Sequence, residues 1–145
     1  MKILVPVDGS KHSEKALKIA IDYAKTKGAN ICLISVSPFI EGVDLEISAS
    51  EREKLNETFT KRADYIVQQA CGILTGEDVI ATCRHVVAAS SIPDAIIDYA
   101  DKEKIDLIII GSRGLDKSSR FKMGSVASKV VKHSPCSVYV VKLPE

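Results

Sequence analysis

Five short runs dense in valine and isoleucine alternate along the chain with longer stretches whose apolar residues recur every three or four positions. Lys2 to Val7, Asn30 to Val36, Val79 to Ala88, Asp106 to Ile110 and Cys136 to Lys142 have the length and β-branched content of strands. Helical periodicity separates them. The first helix follows the turn at Asp8-Gly9, packs through Ala16, Leu17, Ala20, Tyr23 and Ala24, and stops near Gly28. In the second, Leu55, Phe59, Ala63, Ile66, Ala70 and Ile73 form an apolar stripe opposite a face of Glu and Lys. The third begins at Ser91, with Pro93 in its first turn and Asp94 three residues after the cap. The fourth follows Gly124 and Ser125, carries Val126, Ala127, Val130 and Val131, and ends at Ser134-Pro135. Strands alternating with helices predict an α/β fold: a parallel sheet covered on both faces, with right-handed crossovers. The one less regular stretch, Pro38 to Ser50, reads either as an exposed loop with a few anchoring side chains or as a flap that meets a partner.

Composition narrows this picture. At 145 residues and 46% hydrophobic, the chain suits a single domain over residues 1–145, one that buries roughly 70% of its unfolded surface. A formal net charge of +1 provides no global field for nucleic acid or an anionic membrane. Apolar runs are strand-sized, short of the ~20 residues that span a bilayer, and Met1 leads directly into a strand, so the expected location is the cytoplasm. Cys32, Cys71, Cys83 and Cys136 form no C-x-x-C pair and read as small buried hydrophobes in a reducing compartment. His12, His85 and His133 lack metal-ligand spacing.

Candidate chemistry concentrates where the fourth strand ends. Its DLIII run leads into GSRGLDKSSRFKMGSV, so Gly111 and Gly114 follow a strand while Gly124 and Ser125 open a helix. A helix N-terminus presents free N–H groups and partial positive charge to an anion. The glycines allow close approach and unusual backbone angles, and Ser125 adds a hydroxyl donor. Together these residues read as a phosphate cradle; the plainer alternative is a set of glycines that only turns the chain. Neither G-x-x-x-x-G-K-[ST] nor a G-x-G-x-x-G opening the first helix occurs, which excludes the P-loop and dinucleotide-binding fingerprints.

Gly111-x-x-Gly114, nine residues, then Gly124-Ser125 is similar in full to the G-2x-G-9x-G-[S/T] signature of the ATP-binding branch of the universal stress protein family. KILVPVDGS at the start, PDAIIDYADKEKIDLIIIGSRGL before the glycines and SPCSVYVVK at the end also resemble that family. The resemblance implies a Rossmann-like three-layer sandwich whose five-stranded sheet has the order 3-2-1-4-5. It further implies an ATP-binding regulatory protein acting as a nucleotide-dependent switch or sensor. By analogy, Pro6, Val7 and Asp8 would face Gly111, Ser112, Arg113 and Gly114, and Val36 would read the adenine edge through its backbone. The outer phosphates would fall to Gly124, Ser125, Val126 and Ala127. Asp8 beside a triphosphate suggests Mg²⁺, which takes one or two carboxylates plus phosphate oxygens and water. The alternative for Asp8 is an Asx turn with Gly9 and Ser10. Lys117, Arg120 and Lys122 either neutralise the triphosphate or are solvated, Lys122 stands where the family is often apolar, and His12 either reaches the phosphates or faces water.

The closing strand, SVYVVK, would pair with its copy across a homodimer axis, which also removes an apolar sheet edge. A positioned base or water-orienting group for catalysis is not evident, so binding is the expected output and slow ATP hydrolysis the most an enzyme reading supports. Two other readings stay open: an interaction or phosphoacceptor module of the same fold without ATP, and a nucleotidyl transferase, against which VDGSKHS stands in place of an S-G-G-x-D or H-x-G-H signature. The residues identify neither the downstream protein partner nor a preference for ATP over AMP or a cyclic nucleotide.

Overall fold

A computed structural model describes residues 1–40, 47–114 and 123–144. The element order is β1 (Lys2–Pro6), α1 (Lys11–Lys27), β2 (Asn30–Pro38), α2 (Ala49–Gly76), β3 (Ala81–Ala89), α3 (Ile92–Lys102), β4 (Leu107–Gly111), α4 (Ser125–His133) and β5 (Ser137–Val141). All strand pairs are parallel, in the order β3-β2-β1-β4-β5. This matches the expected fold and strand order. The α/β sandwich has its topological switch point between β1 and β4, where the chain leaves the sheet in opposite directions.

The sheet is buried on both faces because the inner positions of its central strands, Ile3–Val5, Ile31–Ile34 and Ile108–Ile110, form unbroken apolar runs. Along β1, Ile3 and Val5 face one side, with Val7 just beyond the strand, and pack with Leu17, Ala20 and Ile21 of α1 and Val67 and Leu74 of α2. Leu4 faces the other side, with Ile34, Ile108 and Ile110, against Ile96 and Ala100 of α3 and Val130 of α4. Alternation in the strands thus sorts one sheet into two cores.

Helix ends follow their local chemistry. Ser10 caps α1 by accepting from the Ser13 N–H, and Gly28 ends that helix in the left-handed region at φ 66°. Ser48 caps α2 and Ser91 caps α3, the latter accepting from the Asp94 N–H as its sequence spacing predicts.

Three expectations need correction. The second helix starts earlier than its apolar stripe suggests, at Ala49, and buries Ala63, Val67, Ala70 and Leu74, leaving Leu55 and Ile73 exposed. Residues 49–62 are exposed or half-buried, and burial along the helix begins at Ala63. Secondly, β2 continues past Val36 to Pro38; Ile40 is then held at both its N–H and its carbonyl by the Asn56 amide of α2, an anchoring side chain of the kind expected for this stretch. Residues 41–46 lie outside the described residues. Thirdly, two of the four cysteines are not scattered: Cys32 and Cys83 face each other across the β2–β3 pair, while Cys71 and Cys136 stand apart. The reading of four separate thiols missed this pair because the two residues are 51 apart in sequence and only the β2–β3 register sets them opposite, with Cα atoms 4.5 Å apart. Among the described residues no helix is long and apolar enough to cross a membrane.

The face that α2 turns inward sets the first prediction. Leu74→Ala should lower the unfolding free energy by about 2–5 kcal/mol, and Ile73→Ala by under about 1 kcal/mol, in urea titrations followed by circular dichroism. Equal losses for the two neighbours would mean that the helix packs through a different stripe.

Candidate nucleotide-binding site

At the switch point, the carboxyl ends of β1 and β4 meet the first turn of α1 and the N-terminus of α4. The contacts are close enough to explain the glycines. A Cβ on Gly111 would stand 2.6 Å from the Cβ of His12 and 3.0 Å from the carbonyl carbon of that residue, so α1 rests directly on the end of β4. A Cβ on Gly114 would collide with the Asp8 carboxylate, which places the end of the β1 segment against the loop after β4. At Gly124 the same atom would make ordinary contacts, 3.4 Å from the Ser112 carbonyl oxygen and 3.7 Å from the Arg113 Cα. All three have negative or extended φ; among the described glycines the left-handed region is used by Gly9 and Gly28. Close approach, rather than unusual backbone angle, is what excludes side chains at Gly111 and Gly114.

Asp8 divides its carboxylate between two tasks. Its Oδ1 accepts from the Ser10 N–H at 2.9 Å, forming the Asx turn that leads into α1, while Oδ2 lies against Gly114. Behind it, the buried Ser10 and Ser13 brace the turn: the Ser13 hydroxyl donates to the Ser10 carbonyl at 3.0 Å, and the Asp8 N–H makes a long bond of 3.4 Å to the Ser13 Oγ. The serine pair at Ser10-x-x-Ser13 is a local capping signal that the reading of the sequence did not use.

The N-terminus of α4 is tied to the same loop. The Gly124 N–H donates to the Ser112 carbonyl at 2.7 Å, and the Ser112 N–H in turn extends the β4–β5 pairing to the Val141 carbonyl at 2.7 Å. Ser112 is buried and Arg113 half-buried. Helix α4 differs from α1, α2 and α3 in having a glycine at its N-cap and no side-chain capping bond. Its first N–H groups, from Ser125 to Ala127, therefore lack the side-chain acceptor that a serine supplies elsewhere. An uncapped terminus next to a glycine loop is suited to an anion, since the free N–H groups and the helix dipole act together.

The other expected site residues are placed unevenly. Pro6 ends β1 opposite Ile34, and the Val7 N–H continues the pairing to the Ile34 carbonyl at 2.9 Å. The Val7 side chain belongs to the core beneath α1 and α2, so only its backbone is available to a ligand. Val36 sits in register with Val87 of β3 and is half-buried against the core beneath α3 and α4. Ser125 is exposed, Val126 is half-buried, and Ala127 turns its methyl into the core. His12 is half-buried, not solvent-facing: it packs on Gly111, and its Nδ1 is buried without a hydrogen-bond partner among the described residues. Asp116, Lys117, Arg120 and Lys122 fall outside the described residues.

Among the described residues the carboxylate oxygen facing the loop is the Asp8 Oδ2, and no cluster of three or more His, Cys, Asp or Glu exists among them. That donor set suits Mg²⁺ carried in by a polyphosphate, which itself supplies the remaining oxygens, and does not suit a resident protein-only metal site.

The universal stress protein family model matches residues 1–142. A universal stress protein of Methanocaldococcus jannaschii is 34% identical over 152 aligned positions, covering 99% of this chain and 83% of its own. Among solved structures, a universal stress protein from Lactobacillus plantarum superposes with a TM-score of 0.85 at 26% identity, covering 98% of this chain and 97% of that one. One from Archaeoglobus fulgidus, solved in complex with dAMP, superposes with a TM-score of 0.67 at 26% identity over 98% of both chains. With the family pattern spanning nearly every residue and the sheet order agreeing strand by strand, the chain belongs to the universal stress protein family.

Proposed function

We propose that the protein is an ATP-binding regulatory member of its family, with the nucleotide held at the carboxyl ends of β1, β2 and β4. The observation that carries this reading is the uncapped N-terminus of α4, pinned through Gly124 to the loop after β4. The dAMP held by the Archaeoglobus fulgidus relative supports adenine nucleotide as the ligand class.

In this reading the N–H groups of Ser125, Val126 and Ala127 and the Ser125 hydroxyl bind outer phosphate oxygens. Ser112, Arg113 and Gly114 line the ribose and inner phosphates, the backbone of Pro6 and Val7 closes the floor, and the Val36 backbone reads the adenine edge. The Asp8 Oδ2 would hold Mg²⁺ brought with the polyphosphate, and the cation would offset the repulsion between carboxylate and phosphates. Asp8 is already committed to the α1 turn through its Oδ1. Binding, and not turnover, is the output: the nucleotide ties α1, through Asp8, to α4, and so biases the shape presented to a downstream partner.

The border strand β5 supports assembly as a homodimer. Tyr139 is 41% exposed on that strand and Val131 is 46% exposed on the neighbouring α4. Pairing β5 with its copy satisfies the open edge and covers these side chains.

Calorimetric titration with ATP and Mg²⁺ should give saturable one-to-one binding to nucleotide-free protein. Gly114→Val should abolish it while the variant still unfolds cooperatively, because the new side chain displaces the Asp8 carboxylate. Retained affinity in a folded Gly114→Val protein would refute the site and favour an interaction module without a nucleotide.

Asp8→Asn keeps an oxygen for the Ser10 N–H but loses the charge that a cation needs. It should weaken binding of Mg²⁺-ATP about tenfold or more, a loss of ~1.4 kcal/mol or more, and leave metal-free binding unchanged or stronger. A uniform effect with and without Mg²⁺ would restrict Asp8 to the turn.

Sedimentation at micromolar concentration should show a dimer, and Tyr139→Asp should shift it to monomer. A monomeric parent protein, or a variant that stays dimeric, would remove β5 from the interface.

A further inference from the structure

The second border of the sheet is β3, and it differs in character from β5. Over nine residues, Ala81–Ala89, it has no proline, and Arg84 is its one residue of fixed charge. Its inner side pairs with β2, and among the described residues no strand pairs with its outer side. Alternate N–H and C=O groups of such a strand point outward unpaired, which makes it a template for another chain.

A groove of about 620 Å³ runs along this border between β3 and α3. His85, Val87 and Ala89, alternate residues of one strand face, form its floor, and Asp94, Asp98, Tyr99 and Lys102 of α3, with Glu103 just after it, line its wall, three carboxylates to one lysine. The His85 ring stacks on Tyr99 with centroids 4.8 Å apart and planes inclined by 17°. Burial, and secondarily the charge of Glu103, raise the Tyr99 pKa, so the stacked pair is an apolar support and not an additional anion.

The wall is acidic in a spaced way. Asp94 and Asp98 are exposed and lie one turn apart on α3, so their side chains are about 6 Å apart along the helix. Side chains on one face of an extended chain recur every ~6.6–6.8 Å. The two repeats nearly coincide. Among the described residues the salt bridge found is Lys25–Glu77, which involves neither aspartate.

From this juxtaposition we propose that β3 and the α3 groove form a docking site for an extended segment of a partner protein with basic residues at alternate positions. The segment adds to the sheet as a sixth strand, its backbone bonding to the free edge of β3 and its Lys or Arg side chains meeting Asp98 and Asp94. A second copy of this chain fits poorly. Pairing β3 with itself brings two acidic α3 rims together on one face of the extended sheet, and Arg84 points to the opposite face, where its guanidinium lies 3.9 Å from the Cys71 sulfur.

The test uses the full chain and a short fluorescein-labelled peptide alternating lysine with valine. Three comparison probes accompany it: the same peptide with glutamate for lysine, one with lysines and valines segregated, and one N-methylated at alternate backbone positions. Fluorescence anisotropy should rise saturably for the first peptide only, and amide exchange should slow along β3 when it is bound. Asp94→Asn combined with Asp98→Asn should weaken binding about tenfold; if that pair unfolds, Asp98→Asn alone should weaken it severalfold. Absence of saturation, equal binding of the N-methylated or segregated peptide, or unchanged affinity in a folded aspartate variant would overturn the proposal. Protection of β3 that rises with protein concentration alone would overturn it in favour of self-association.

Discussion

The close seating of α1 and the β1 end on the glycines after β4 is the constraint on which the site depends. Gly111 lets the first turn of α1 rest on the strand end, and Gly114 lets the Asp8 carboxylate lie against the loop. With a side chain at either position the two halves of the sheet would still pair, but the crevice at the switch point would open. The Asx turn at Asp8, the serine pair beneath it and the bond from Gly124 to Ser112 then hold the crevice in one geometry. In the proposed nucleotide site, backbone groups supply most of the binding surface, and side chains mainly hold that backbone in position.

Capping gives this arrangement its direction. Three helices have a serine at the N-cap, which consumes one of the free N–H groups at their start. At α4 the cap is glycine, and the N–H groups stay available next to the loop that the other elements have fixed. The stability forgone by leaving out a serine cap is about 1 kcal/mol by comparison with capped helices, which is small beside what the proposed nucleotide would return. Two of the polar side chains nearest the crevice have structural tasks: Asp8 serves the turn, and His12 packs against Gly111.

Much of the fold was legible because its strands are short, β-branched and separated by helical patterns, and because Gly28, Ser91 and Pro93 mark helix ends by local chemistry. Strand order was not legible from those patterns; it came from the likeness to a known family, since pairing between distant strands leaves no local trace. The inner face of α2 was misread because Leu55 and Ile73 fit an apolar stripe, yet burial begins only at Ala63 and the buried row passes through Val67 and Leu74 instead. The Cys32–Cys83 pairing depends on register alone. At the site, the motif located the glycines but not the reason for them: Gly111 and Gly114 answer to His12 and Asp8, contacts that exist only once β1 and β4 are neighbours. Asp8 had two readings, and the Asx turn is observed on one carboxylate oxygen while the other is left facing the loop.

The central claim is that the uncapped start of α4 receives the phosphates of an adenine nucleotide. Titration of ¹⁵N-labelled protein with Mg²⁺-ATP, followed through backbone amide resonances, tests it most directly. The account predicts saturable shifts that are largest at Ser125, Val126 and Ala127 and at Gly114. Saturable shifts confined to other elements, or resonances unchanged at millimolar nucleotide, would contradict it.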